Sequence, residues 1–220
     1  ARELLLTAHT NKYFSSPGAN DNASGVSVLL KIAENLMKRA NTPKLNVRIV
    51  FFDHEDGLAC IDGSTFYVNN ADRTAIDFVL NIDMVGAGNT VVTSPKNIGT
   101  SLHPYMDFLV GYFAQKHIKY FSYDLPPLMV EDHMPFTKYH IPAVSLNLMP
   151  EKDFAYLRNL VDAPKSTQLV EYLRMRSNKK KYPMEVMRHR HNDLDTSQYI
   201  EEESLALCED IVMKLIAKIS

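Results

Sequence analysis

Apolar positions along the chain fall into two patterns. Five stretches are nearly unbroken: ELLLTAH (3–9), LNVRIVFF (45–52), DFVLNIDMVG (77–86), TVVT (90–93) and IPAVSLNL (141–148). Short continuous runs of this kind are expected of strands covered on both faces. The second pattern is helical. Val26, Leu29, Leu30, Ala33, Leu36 and Met37 recur on one side of a stretch at about 23–39, with Lys31, Glu34, Asn35 and Lys38 opposite. Met106, Leu109, Val110 and Phe113 predict a helix within 101–117, and Leu205, Ile211, Val212, Leu215 and Ile216 predict a last one at about 201–219. Strands alternating with helices predict one α/β domain with a mostly parallel sheet. Residues 150–190 break the rhythm. They hold one possible helix, about 154–174, and a basic run, RMRSNKKKY. We read this segment as an excursion at the edge of the domain and the basic run as a solvated loop.

Polar residues collect where these strands end. His9 closes ELLLTAH, Glu55 and Asp56 follow RIVFF, and Asp83 follows VLNI. Asp132 and His133 precede the strand PAVSL, Asp21 lies in the turn-rich GANDNASG, and His191 lies in RHRHNDLDT before the last helix. In doubly wound sheets, functional residues gather at the carboxyl ends of the strands. Each residue also has a structural reading. Asp21 would serve as a helix cap, Asp83 would satisfy turn amides, and either His would serve as a hydrogen-bonded structural residue. Capping does not explain Glu55 beside Asp56, because adjacent carboxylates at a buried strand end need a positive partner.

Composition narrows the choice. With 220 residues and 45% hydrophobic side chains, the chain has enough for a sizeable core, and a net charge of -2 gives no case for nucleic-acid binding. No apolar stretch approaches the ~20 residues needed to span a bilayer. Cys60 and Cys208 follow no metal or redox spacing and are read as buried thiols. The chain opens directly into a strand without Met, so we expect a processed form or a fragment; its compartment and oligomeric state stay open.

Two imidazoles with carboxylates and no thiolate suit zinc, and cobalt or manganese less well. Five candidate ligands exceed what one catalytic ion needs, so two ions sharing a carboxylate fit better; such pairs lie ~3.5–4 Å apart. Of the adjacent acids, one would ligate while the other serves as general base.

These segments resemble the M28 zinc aminopeptidases, in the wider superfamily of co-catalytic zinc exopeptidases. The resemblance runs from His9 to Thr196 through AHTNKYFSSPGANDNASG, FFDHED, NIDMVG, EDHMPF and HNDLDT, in the family's order. It implies a mixed, mainly parallel central sheet flanked by helices on both faces. It implies Asp21 bridging two zinc ions, His9 and Asp83 completing one site, Asp56 and His191 the other, and Glu55 as general base. Its usual reaction removes an amino-terminal residue from a peptide.

Three departures stand out. Asn11 occupies a place usually held by Asp, where its side chain is expected to accept the His9 N–H. The paired acids are Glu-Asp rather than Glu-Glu. Residues 150–190 are longer and more basic than the family pattern. Asp195 is expected to orient His191 by accepting its other ring N–H, and His133 and Tyr139 are candidates for holding a tetrahedral intermediate. His54, His189 and Arg190 are read as neighbours of the site. The glutaminyl cyclases are the nearest alternative. There Asp21, Asp56 and His191 would hold a single zinc, and Asp83 and Asp132 would form a proton relay. A binding or scaffold protein that keeps the fold is the alternative from another class.

Overall fold

The structure, a computed structural model, describes residues 2–38, 46–55, 61–96, 103–123, 130–177 and 181–219. Six strands form one sheet: β1 (Glu3–His9), β2 (Asn46–Phe52), β3 (Ile76–Ile82), β4 (Thr90–Lys96), β5 (Tyr120–Ser122) and β6 (Ala143–Met149). Their order is β2-β1-β3-β6-β4-β5. All neighbours are parallel except β4 and β6, so the sheet is mixed and mainly parallel. β1 lies between β2 and β3, and the chain leaves it first to one side and then to the other. This is the topological switch point, where the carboxyl ends of parallel strands open a crevice.

Every residue of β1 and β3 is buried. The period of two divides β1 between the faces. Leu4, Leu6 and Ala8 pack with Val28, Leu29 and Ile32 of α1 (Ser24–Met37) and with Ile211 and Leu215 of the last helix. Leu5 packs on the other side with Val68 of α2 (Asp62–Asn70) and Phe136 of α4 (Met134–Thr137). Each fully buried leucine contributes about 1.5–3 kcal/mol relative to an exposed one. On this alternation His9 falls on the Leu5 face. α3 (Pro104–Lys116) joins the first layer through Met106, Leu109 and Phe113.

The excursion is helical too. The single helix expected at about 154–174 is two, α5 (Glu151–Val161) and α6 (Lys165–Ser177). Pro164 lies at the break, and a proline within a continuous helix would remove a hydrogen bond and clash with the preceding turn. With α7 (Glu185–His189) these helices build a separate apolar cluster around Met84, Val92, Tyr123, Met149, Leu157, Tyr182 and Met184. α8 (Glu202–Ile219) closes the chain. Cys208 is a buried free thiol, pushed up in pKa by burial; Cys60 lies outside the described residues. Among the described residues no helix is long and apolar enough to cross a membrane.

Candidate active site

The carboxyl ends of β1, β2 and β3 lead into one buried cluster of polar side chains. His9 is the last residue of β1, Asp83 follows β3, and Glu55 follows β2 by three residues. His9 is fully buried, and its Nε2 lies 3.2 Å from Asp21 Oδ1, 3.4 Å from Asp83 Oδ1 and 3.7 Å from Glu55 Oε2. His191 reaches the other oxygen of the same carboxylate, with Nε2 3.1 Å from Asp21 Oδ2. The structure thus brings together His9, Asp21, Glu55, Asp83 and His191. Asp56 lies outside the described residues.

The loop carrying Asp21 is stitched to the end of β3 by its neighbours. Asn22 donates from Nδ2 to the Ile82 carbonyl (2.8 Å), and its Oδ1 accepts the Gly25 and Met84 amides. Asn20 Oδ1 accepts the Gly86 amide at 2.7 Å. Ser24 Oγ donates to the Asn20 carbonyl and accepts the Val85 amide. Gly86 is required by this close approach, since a Cβ there would come within 2.5 Å of Ile200 and 2.9 Å of Asn20 Oδ1. Asp21 is therefore not a helix cap; α1 begins after Ala23 without a side-chain cap.

From the opposite side Asp195, fully buried, accepts the Asn20 amide at 2.7 Å and the Asp21 amide at 3.1 Å. This corrects its expected role. Its two oxygens are taken by backbone N–H groups of the Asp21 loop, so it positions Asp21, while the His191 ring stacks on Tyr13 with centroids 4.8 Å apart. The expectation for Asn11 changes likewise. His9 Nδ1 meets the backbone carbonyl of Asn11 at 3.1 Å, and the Asn11 side-chain oxygen accepts the Glu55 amide at 3.0 Å. A residue two positions past the strand end turns its carbonyl back to the imidazole, which frees its side chain to hold the next segment.

His54, Met84 and His191 have φ of 60°, 52° and 63°. Left-handed backbone at non-glycine residues costs on the order of 1–3 kcal/mol each and concentrates at functional sites. Here it re-aims the chain beside Glu55, just after Asp83, and at His191 itself.

The electrostatics are those of a cation site. Burial alone would lower the His9 pKa, but Asp21, Asp83 and Glu55 reverse this and hold it well above the usual imidazole value. Burial alone would raise Asp21, but Arg190, His191 and His9 hold it well below the usual carboxylate range. In the metal-free ring that raised pKa keeps a proton on Nε2, and a divalent ion would take its place while Nδ1 still donates to the Asn11 carbonyl, which makes Nε2 a ligand atom. That atom, Asp21 Oδ1 and Asp83 Oδ1 are buried without a hydrogen-bond partner among the described residues. His9 Nε2 lies 3.2 Å from Asp21 Oδ1 and 3.4 Å from Asp83 Oδ1, carboxylates that need a positive partner in a buried site, and zinc takes nitrogen and oxygen ligands at about 2.0–2.2 Å. Ligand atoms of His9, Glu55 and Asp83 all lie within 4.8 Å of one another. The donor set fits a divalent cation.

Beside Asp83 opens a cavity of about 30 Å³, lined also by Tyr123, Glu131, Asn147, Met187 and Arg190. Glu131 is the residue that sequence reasoning missed here. Glu131 accepts from Ser94 Oγ at 2.5 Å, and burial together with the Asp83 charge pushes its pKa up to about 7. Asp132 and His133, the expected substrate-side pair, are fully buried and do not line this cavity; His133 Nδ1 lies 3.3 Å from Glu131 Oε2. The carboxylate one residue earlier lines the cavity instead. Tyr139 is also displaced from its expected role: it is on the surface, hydrogen-bonded to Asn69 beneath Arg73. His54 is exposed beside Asp53, and His189 packs edge-on against Tyr199. Arg190, read as a neighbour, donates from Nε to Asp21 Oδ2 at 2.8 Å.

The profile described as Peptidase family M28 matches residues 1–216. An aminopeptidase of Pseudomonas aeruginosa is 36% identical over 89 residues, 39% of this chain and 16% of that protein. Among solved structures, a zinc aminopeptidase from Bacillus subtilis superposes with a TM-score of 0.72 at 20% identity, over 99% of this chain and 46% of that one. A glutaminyl cyclase from Porphyromonas gingivalis superposes with a TM-score of 0.72 at 21% identity, over 99% of this chain and 73% of that one. The chain therefore spans less than half the length of the Bacillus protein.

Proposed function

Because the chain belongs to peptidase family M28, we propose that it is a zinc aminopeptidase, cutting the peptide bond after the first residue of its substrate. The observation that carries this reading is the buried His9 Nε2, 3.2 Å from Asp21 Oδ1 and 3.4 Å from Asp83 Oδ1 at the switch point of the sheet. In this reading His9, Asp21 and Asp83 hold one ion. Asp21, His191 and Asp56 would hold a second. Bound zinc polarises a carbonyl and makes water acidic enough to attack near neutral pH.

The chain's own residues do the rest. Glu55 removes a proton from the attacking water as its oxygen bonds to the scissile carbonyl carbon. As the C–N bond breaks, Glu55 returns that proton to the leaving amine. The Asn11 side chain fixes Glu55 through its backbone amide, and the Asn11 carbonyl fixes the His9 ring, so one residue sets both base and ligand. Glu131 and Asp83, acids lining the adjoining cavity, suit the substrate's free ammonium group.

A second reading has its own support. Glu131, a buried acid with raised pKa beside Asp83, and the equal superposition on a glutaminyl cyclase fit cyclisation of an amino-terminal Gln on one zinc. The two separate on substrate. Zinc-loaded protein is expected to release the chromophore from leucine p-nitroanilide and to stop when chelated. Pyroglutamate formation from Gln-initiated peptides without leucine release would overturn the aminopeptidase reading. Inertness of loaded protein toward both would favour a binding protein.

A further inference from the structure

Asp21 touches both imidazoles of the site, and its two oxygens have unlike surroundings. Oδ1 faces His9 Nε2 and makes no hydrogen bond. Oδ2 accepts the Arg190 Nε–H at 2.8 Å and lies 3.1 Å from His191 Nε2. Arg190 is 17% exposed, so this pair is largely shielded from solvent.

We propose that Arg190 acts as a resident cation at the Asp21–His191 half of the centre, so that the two zinc positions load in sequence, with the His9–Asp21–Asp83 position first. This rests on the reading of the centre as a two-ion peptidase site. An imidazole makes room for a metal by losing its proton. A guanidinium keeps its proton at any working pH. A zinc ion at Oδ2 must therefore share the oxygen with Arg190 or displace it, and in either case it meets a like charge a few ångströms away. Zinc at Oδ1 has neither obstacle. The same pairing neutralises Asp21 when only one ion is bound, which leaves a half-loaded centre stable. Arg190 lines the cavity beside Asp83 and Glu131, so it has acidic groups to turn toward when Oδ2 is taken. In an aminopeptidase that needs both ions, Arg190 would set the free zinc concentration at which the enzyme becomes active.

The test is zinc binding by the full chain across a series of buffered free-zinc concentrations, read by elemental analysis and calorimetry. The wild type is expected to bind two ions with well-separated dissociation constants. Arg190→Gln is expected to tighten the second by roughly tenfold or more, through relief of a like charge a few ångströms away, and to leave the first within about threefold. Arg190→Lys keeps the charge and is expected to keep most of the gap. Melting curves identify any variant that fails to fold, in which case Arg190→Met takes its place. Cobalt absorption, followed one equivalent at a time, gives a second readout. Two ions binding the wild type with equal affinity would overturn the proposal, as would an Arg190→Gln protein with an unchanged second site or an Arg190→Lys protein that behaves like Gln. The peptidase reading fails separately: a chain that loads in two steps but hydrolyses no peptide sinks that reading and leaves this one standing.

Discussion

His9 and Asp83 stand at the ends of adjacent parallel strands, whereas Asp21 and His191 stand on loops that approach them from outside the sheet. The strand pair inherits its position from the ladder. β1 and β3 run in register from Leu4 with Phe78 to Thr7 with Asn81, buried on both faces, and the two side chains emerge where the ladder stops. The loop pair has no ladder. Asp21 is held by Asn20, Asn22 and Ser24 on one side and by Asp195 on the other, and His191 by stacking on Tyr13. The difference suggests a division of labour. The strand half is as rigid as the core, and the loop half is set by a few polar contacts, each of which can be changed without unfolding the sheet.

Removing the residue common to both halves should have the largest effect. Asp21→Ala is expected to strip zinc from both positions and take leucine p-nitroanilide hydrolysis to background, with metal content and rate measured on the same sample. Asp195→Asn should separate the halves. It weakens one of two amide contacts that hold the Asp21 loop, so zinc affinity at the loop half should fall roughly 10–100-fold while the strand half changes little. Calorimetry reads the two steps apart. An equal loss at both would show that the halves are not independently held.

Asn11→Ala should leave both ions in place, since the carbonyl that receives His9 Nδ1 survives the change. It removes the acceptor of the Glu55 amide, about 1 kcal/mol for a hydrogen bond. The expected result is kcat down about five- to tenfold with KM unchanged. A further effect, outside catalysis, should be on stability. In the folded chain Glu131 titrates at about 7, above its ordinary 4.5, because of burial and the Asp83 charge. The native state then binds the proton more tightly than the unfolded one between those values. Stability of the metal-free chain should therefore fall as pH rises from about 4.5 to 7, by roughly 1–3 kcal/mol. Glu131→Gln should flatten that slope, as followed by urea unfolding across the pH range.

The strand half was legible in the sequence for a physical reason. An unbroken apolar run followed by one His or Asp marks both the strand and its end, and LLLTAH and VLNID each did so. The helices with clear apolar stripes, α1, α3 and α8, were legible for the same reason. The loop half was legible only as candidates, because side-chain hydrogen bonds over more than 60 residues leave no local period. Asn20 and Asn22 read as turn residues and Ser24 as part of the helix, yet all three tie the loop to the end of β3. Arg190 read as a neighbour of the site, but nothing in RHRH showed that its Nε would donate to Asp21. Glu131 was overlooked beside Asp132, since three polar residues in EDH do not show which one faces the cavity. α2 escaped because DGSTFYVNN has no apolar stripe, and β5 because three residues are too few for any pattern.

The most direct test of the account is Glu55→Gln, examined for zinc content and for hydrolysis together. Glutamine is close in shape to glutamate and cannot carry a proton between water and amine. The account predicts zinc bound as in the wild type and a rate lower by about 10²–10⁴-fold, the usual contribution of a general base. A Glu55→Gln protein that keeps its zinc and still turns over at the wild-type rate would contradict it.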